Sequence, residues 1–176
     1  MKSKTEKILM VLRVFAWLAM IGYAINAGSQ LICLGVSFSH PEAARKIPGI
    51  AQDLLNLLQK DFQNYALLLS AVILHSALSV YLWHTVIQLL SKLNLKAPFT
   101  FEVTTNLEKI AYWLFAIWVV GYTCGKYAEW ISQSLGEPLN LSTTGGEFLF
   151  IAGIVYIISQ IFRLGIEMQE ENQQTI

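Results

Sequence analysis

The sequence predicts an all-α membrane protein: four transmembrane helices in an antiparallel bundle, with an extra amphipathic outer helix between spans one and two. Two observations carry that prediction. Of the 176 residues 55% are hydrophobic and only 14% charged, and the mean hydropathy is +0.49, whereas soluble domains carry about 25% charged residues. The apolar residues also gather into runs at about 8–36, 65–90, 110–131 and 148–166, parted by short polar connections. About 20 apolar residues at about 1.5 Å each cross a bilayer as a helix. The formal net charge is zero, so no overall basic field points to direct nucleic-acid binding. The whole length, 1–176, is expected to be one membrane domain, too short for a separate soluble domain beside four spans.

The first run follows a basic start, Lys2, Lys4 and Lys7. A cleaved signal has an apolar region of about 7–15 residues, while this one continues through Leu31, Ile32 and Leu34, so it is expected to be a retained anchor. Arg13 lies near one end of it, where a long cationic side chain can snorkel to the interface. After a polar connection over 37–46, Pro48 is suited to a first helical position. Ile47, Ala51, Leu54, Leu58, Phe62 and Tyr65 then recur at helical spacing, with Gln52, Asp53, Asn56, Gln59, Lys60 and Gln63 on the other face. This is the outer amphipathic helix, 48–64. It either lies on the lipid surface or stands up as an extension of span two. The second is preferred, because no glycine or proline from Ile50 to Lys96 forces a corner.

The stretch Pro98–Tyr127 organises the rest, since a polar helix start there runs unbroken into an apolar, aromatic-rich span. Thr100 is placed to cap the helix. Glu102 and Glu108 lie in its first turns, and Tyr112 and Trp113 at one end with Tyr127 and Trp130 at the other read as interfacial belts. The connection over 91–98 is too tight for anything but an antiparallel return. The loop over 132–147 is broken by Gly136, Pro138, Gly145 and Gly146, and a polar tail, 167–176, follows the last span. Lys2, Lys4, Lys7, Arg13, Lys92, Lys96, Lys109 and Arg163 fall on one side, against Arg45, Lys46, Lys60 and Lys126 on the other. The positive-inside rule then puts both termini in the cytoplasm.

No motif defines a reaction. Zinc spacing, a phosphate loop, a nucleophile elbow and a clustered carboxylate pair are all missing from the sequence. The expectation is a protein that is not an enzyme and carries no cofactor or metal. His75 lies near the middle of span two, where an ionisable group is costly and marks a candidate polar site with Ser79. The plainer alternative is a neutral imidazole hydrogen-bonded to Ser79 or to another helix. His84 falls on the opposite face and His40 in a connection, which disfavours a bis-histidine haem. Cys33 and Cys124 fall near the outer ends of spans one and three without a C-x-x-C pattern. They read as free buried thiols, although a disulfide is permitted there. Gly121 and Gly125 form a G-x-x-x-G that packs either within the bundle or across a homodimer seam. Arg163 and Glu167 stand four apart, as do Glu167 and Glu171. The end of the last helix therefore offers an acidic face, Glu167, Glu170 and Glu171, either to water or to a soluble partner.

The pieces Pro98-Phe99-Thr100, Asn106-Leu107 with Ile110, and the closing run from Gly165 through Glu167, Gln169, Glu170, Glu171, Asn172, Gln173, Gln174 and Thr175 to Ile176 resemble a bacterial family. Its members are small four-span integral membrane proteins catalogued only as a domain of unknown function. The likeness covers nearly the whole chain in length and span layout, with the specific residues confined to those two segments. Gln174 departs from the apolar residue that precedes Thr-Ile in the family. The resemblance implies an inner-membrane protein often encoded beside a Cro-type helix-turn-helix regulator, and no activity. It makes a cytoplasmic regulator the expected partner, held by Thr100 and Asn106 together with Glu167, Glu170, Glu171, Thr175 and Ile176. A small-molecule or ion site near His75 is the other expectation.

Overall fold

The computed structural model describes residues 4–47, 52–93, 99–136, 139, 141 and 145–174, and every regular element among them is a helix. In chain order these are α1 (Lys4–Ser39), α2 (Pro41–Ala44), α3 (Gln52–Lys60), α4 (Phe62–Lys92), α5 (Phe101–Leu135) and α6 (Gly146–Gln174). Among the described residues three stretches are long and apolar enough to cross a membrane: Glu6–Ser39, Phe62–Lys92 and Gly146–Glu171. The run 110–131, read from sequence as span three, lies inside α5 but is not among them. Tyr112, Trp113, Trp118, Tyr122 and Lys126 dilute it. What sets α5 apart is burial. Val103, Ile110, Leu114, Ile117, Gly121, Gly125, Ala128 and Ile131 are all buried, and recur mostly every three or four positions, the stripe of a helix packed along its length. The most apolar window of α1, by contrast, is only 6% buried.

Contacts divide the chain into two compact units. One comprises Ile21–Val80 and Ala116–Gly145. Its core gathers Cys33, Ala44, Leu54, Leu55, Leu57, Leu58, Tyr65, Leu68, Leu69, Ala128 and Ile131. The amphipathic helix therefore buries its apolar face against protein, with Leu54, Leu58 and Tyr65 of the anticipated stripe inside and Leu55 and Leu57 added. Ala51 and Pro48 lie outside the described residues. A proline does open a helix nearby, but it is Pro41, at the start of the short α2.

Between this helix and span two the regular helix is interrupted at one residue: α3 ends at Lys60 and α4 starts at Phe62. The interruption involves no glycine or proline; Asp61 caps α4. One carboxylate oxygen accepts the Asn64 backbone N–H at 3.1 Å and the other the Asn64 amide at 2.6 Å, the bonds of an N-cap. Asn64 in turn accepts the Tyr127 hydroxyl at 2.6 Å. Asp61→Ala should lower stability by about 1 kcal/mol and Asp61→Asn by much less, since both native residue and asparagine cap well. Unfolding midpoints in detergent would show it, and equal losses would refute the cap.

The other unit comprises Met1–Met20, Tyr81–Phe115 and Gly146–Ile176. Arg13 does not simply snorkel there; its guanidinium donates to the Leu90 carbonyl at 2.9 Å, near the end of α4 where carbonyls lack helical partners. Lys92 and Glu102 pair at 3.0 Å across the connection between α4 and α5, and Tyr81 stacks on Trp113 with ring centroids 5.6 Å apart.

Candidate functional site

The site is a seam between α5 and α6. Glu108, whose side chain is only 16% exposed, accepts a hydrogen bond from the Arg163 guanidinium at 2.6 Å and another from the Gln160 amide at 3.0 Å. Sequence spacing set Arg163 beside Glu167 on the same helix; the tertiary pairing is with Glu108 instead. The physical reason is burial: a charge pair in a half-buried seam attracts more strongly than one along an exposed helix side. Farther along, the Phe99 ring lies 5.0 Å from that of Phe162. A Cβ on Gly165 would stand 3.2 Å from the Phe99 ring, so the missing side chain is what lets Phe99 lie so close against α6. Tyr112 and Tyr156 meet farther up the seam, their centroids 6.2 Å apart.

These contacts unite segments that are far apart in sequence. Phe99 and Thr100, at the start of one motif-bearing segment, lie at the end of the seam where Gly165 begins the other. Thr100 caps α5, its hydroxyl accepting the Val103 N–H at 3.4 Å. Asn106 is buried, so its side chain does not belong to an accessible partner face, contrary to the role set for it above. The helix pitch turns it toward the interior along with Val103 and Ile110. Glu167, Glu170 and Glu171 are exposed on the last turns of α6. Thr175 and Ile176 lie outside the described residues.

His75 is half-buried and Ser79 buried, but the serine hydroxyl donates to the His75 carbonyl at 2.9 Å. It is engaged with its own helix backbone. Gly121 and Gly125 are both buried on the α5 stripe. Cys33 and Cys124 are free thiols, Cys33 inside the core cluster of its unit and Cys124 packed against it. Among the described residues no three His, Cys, Asp or Glu side chains gather as a metal would require.

Two features escaped the sequence. Glu108 is the hub of the seam, and its only sequence signal was a carboxylate at the threshold of an apolar run, a costly position that calls for a partner. The other is a buried polar cluster in which the Tyr65 hydroxyl lies 2.8 Å from Ser37 Oγ and 3.5 Å from Cys33 Sγ. Ser37 also donates to the Cys33 carbonyl at 2.7 Å. Nothing in the spacing of residues 33, 37 and 65 announces it.

The family described as "Protein of unknown function (DUF2975)" matches residues 50–176, well over half of the chain. The chain belongs to the DUF2975 family. Both motif-bearing segments, and with them every contact of the α5–α6 seam, fall inside the DUF2975 match. No curated protein and no solved structure matches the chain.

Proposed function

We propose that this DUF2975 protein is a four-span bacterial inner-membrane bundle with both termini in the cytoplasm, and that it serves as an interaction partner of a cytoplasmic regulator-type protein rather than as an enzyme. The observation that carries this reading is the form of α6. It runs as one helix from Gly146 to Gln174, tied to α5 through Glu108 and to Phe99 through Gly165, and then continues past those anchors with Glu167, Glu170 and Glu171 exposed. A helix end that is already ordered and held at its base loses little entropy on binding. In this reading α5 is the remaining span, its sparing hydropathy offset by the buried stripe that neighbouring helices cover. The antiparallel order agrees with Arg13 meeting Leu90, and with residues 108 and 112 of α5 facing 163 and 156 of α6. Gly121 and Gly125 are assigned to packing within the chain rather than to a homodimer seam.

Full-length protein and a form truncated after Ile166, each purified in mild detergent from the native host, provide the test, with copurifying proteins identified by mass spectrometry. One soluble regulator should accompany the intact chain and be lost with the tail, while a His75→Leu variant should retain it. Capture that survives truncation would refute docking on the tail. The second reading, a small-molecule or ion site at His75, is favoured by one fact, the half-burial of an ionisable side chain within an apolar span. It predicts the reverse pattern, in which truncation leaves function intact and His75→Leu abolishes it.

A further inference from the structure

We propose that the α5–α6 seam binds one anionic phospholipid, with the phosphate at Lys109 and Arg163 and an acyl chain in the groove beside Tyr112 and Tyr156. The groove has a volume of about 300 Å³. Ala111, Ala152 and Gly153 leave the space, and Tyr112, Phe115 and Tyr156 flank it. A Cβ on Gly153 would meet nothing within 4 Å. The groove and the ion cluster are consecutive along the same seam. Gln160 and Arg163 follow Tyr156 by four and seven positions on α6, and Glu108 precedes Tyr112 by four on α5, so each set shares a helix face with the groove.

The occupant is fixed by environment and by charge. The groove lies against a helix apolar enough to span a membrane, so acyl chains are its surrounding medium. Fit to a groove then holds a chain in place without choosing among lipids, because lipid tails are as apolar as the groove lining. The headgroup makes the choice. Glu108 is matched by Arg163 at 2.6 Å, and Lys109, next to Glu108 on α5, is an exposed cation without an ion-pair partner among the described residues. Arg163 is itself 47% exposed along its side chain and has further N–H groups for a phosphate oxygen. Basic positions between spanning helices at headgroup level are suited to anionic lipid. Glu167, one turn beyond Arg163, bounds the site, since a carboxylate repels phosphate.

This inference rests on the membrane reading of α6 and not on a partner at the tail. It is tested by native mass spectrometry of the full chain in mild detergent with phosphatidylglycerol or phosphatidylcholine added. Wild type should retain phosphatidylglycerol in preference to phosphatidylcholine. Lys109→Gln should weaken phosphatidylglycerol retention about fivefold, the value of one cationic side chain at a membrane surface. Gly153→Leu, whose Cβ meets nothing within 4 Å, should reduce retention of both lipids. The form truncated after Ile166 should behave as wild type, which separates this site from the tail. Equal retention of the two lipids by wild type would overturn the proposal, as would phosphatidylglycerol retention left unchanged by Lys109→Gln or by Gly153→Leu.

Discussion

Tyr65→Ala is expected to destabilise the protein by about 3–5 kcal/mol, the usual cost of removing a large buried aromatic side chain. Tyr65 is 0% exposed and heads the fully buried side chains by volume. Its ring belongs to the core that also holds Leu54, Leu57 and Leu58 of α3, so the cavity would open beneath that helix. Its hydroxyl lies 2.8 Å from Ser37 Oγ. Tyr65→Phe separates the two contributions. It keeps the ring and leaves Ser37 donating to the Cys33 carbonyl, so it should cost only about 1 kcal/mol, a typical net hydrogen bond. Unfolding in mixed detergent micelles measures both, and hydrogen exchange should rise across α3 in the alanine variant alone. A loss below about 1 kcal/mol for Tyr65→Ala would mean that the ring is not the support of the core it is taken to be.

Arg163→Ala should cost about 2–3 kcal/mol and Glu108→Ala about 1–2 kcal/mol, and the asymmetry is the informative part. Removing the arginine strands Glu108, whose side chain is only 16% exposed, with Gln160 as its one remaining donor. Removing the glutamate strands Arg163, which is 47% exposed and can reach outward to headgroups or water. The double variant should then cost less than the sum of the two, since residues in one network do not act additively. If the seam also sets the direction of the tail, Arg163→Ala should weaken regulator capture without altering Glu167, Glu170 or Glu171. Equal effects of the two single variants would refute the burial argument.

Helices apolar enough to cross a membrane were legible from composition and from apolar runs, and a helix start from a cap residue such as Thr100, because these are local properties of the chain. The two motif-bearing segments were legible as well, through the resemblance. The interruption at Asp61 was missed because breakers were sought as glycine or proline. An aspartate followed three residues later by its capped N–H makes the same break by satisfying the backbone of the helix that follows. Asn106 was placed on a partner face from its motif, when the helical pitch it shares with Val103 and Ile110 turns it inward.

By itself, then, the sequence determined that this is a helical, membrane-compatible protein with a polar end to its last helix and no reaction motif. Only the tertiary structure decided that Arg163 pairs with Glu108 and not with Glu167, that Gly165 receives Phe99, and that Cys33, Ser37 and Tyr65 share one buried cluster. The physical reason is range. Hydropathy, periodicity and capping act within a few residues, whereas a pairing across helices depends on which faces are buried together, and burial is what makes a distant carboxylate a stronger partner than a neighbouring one.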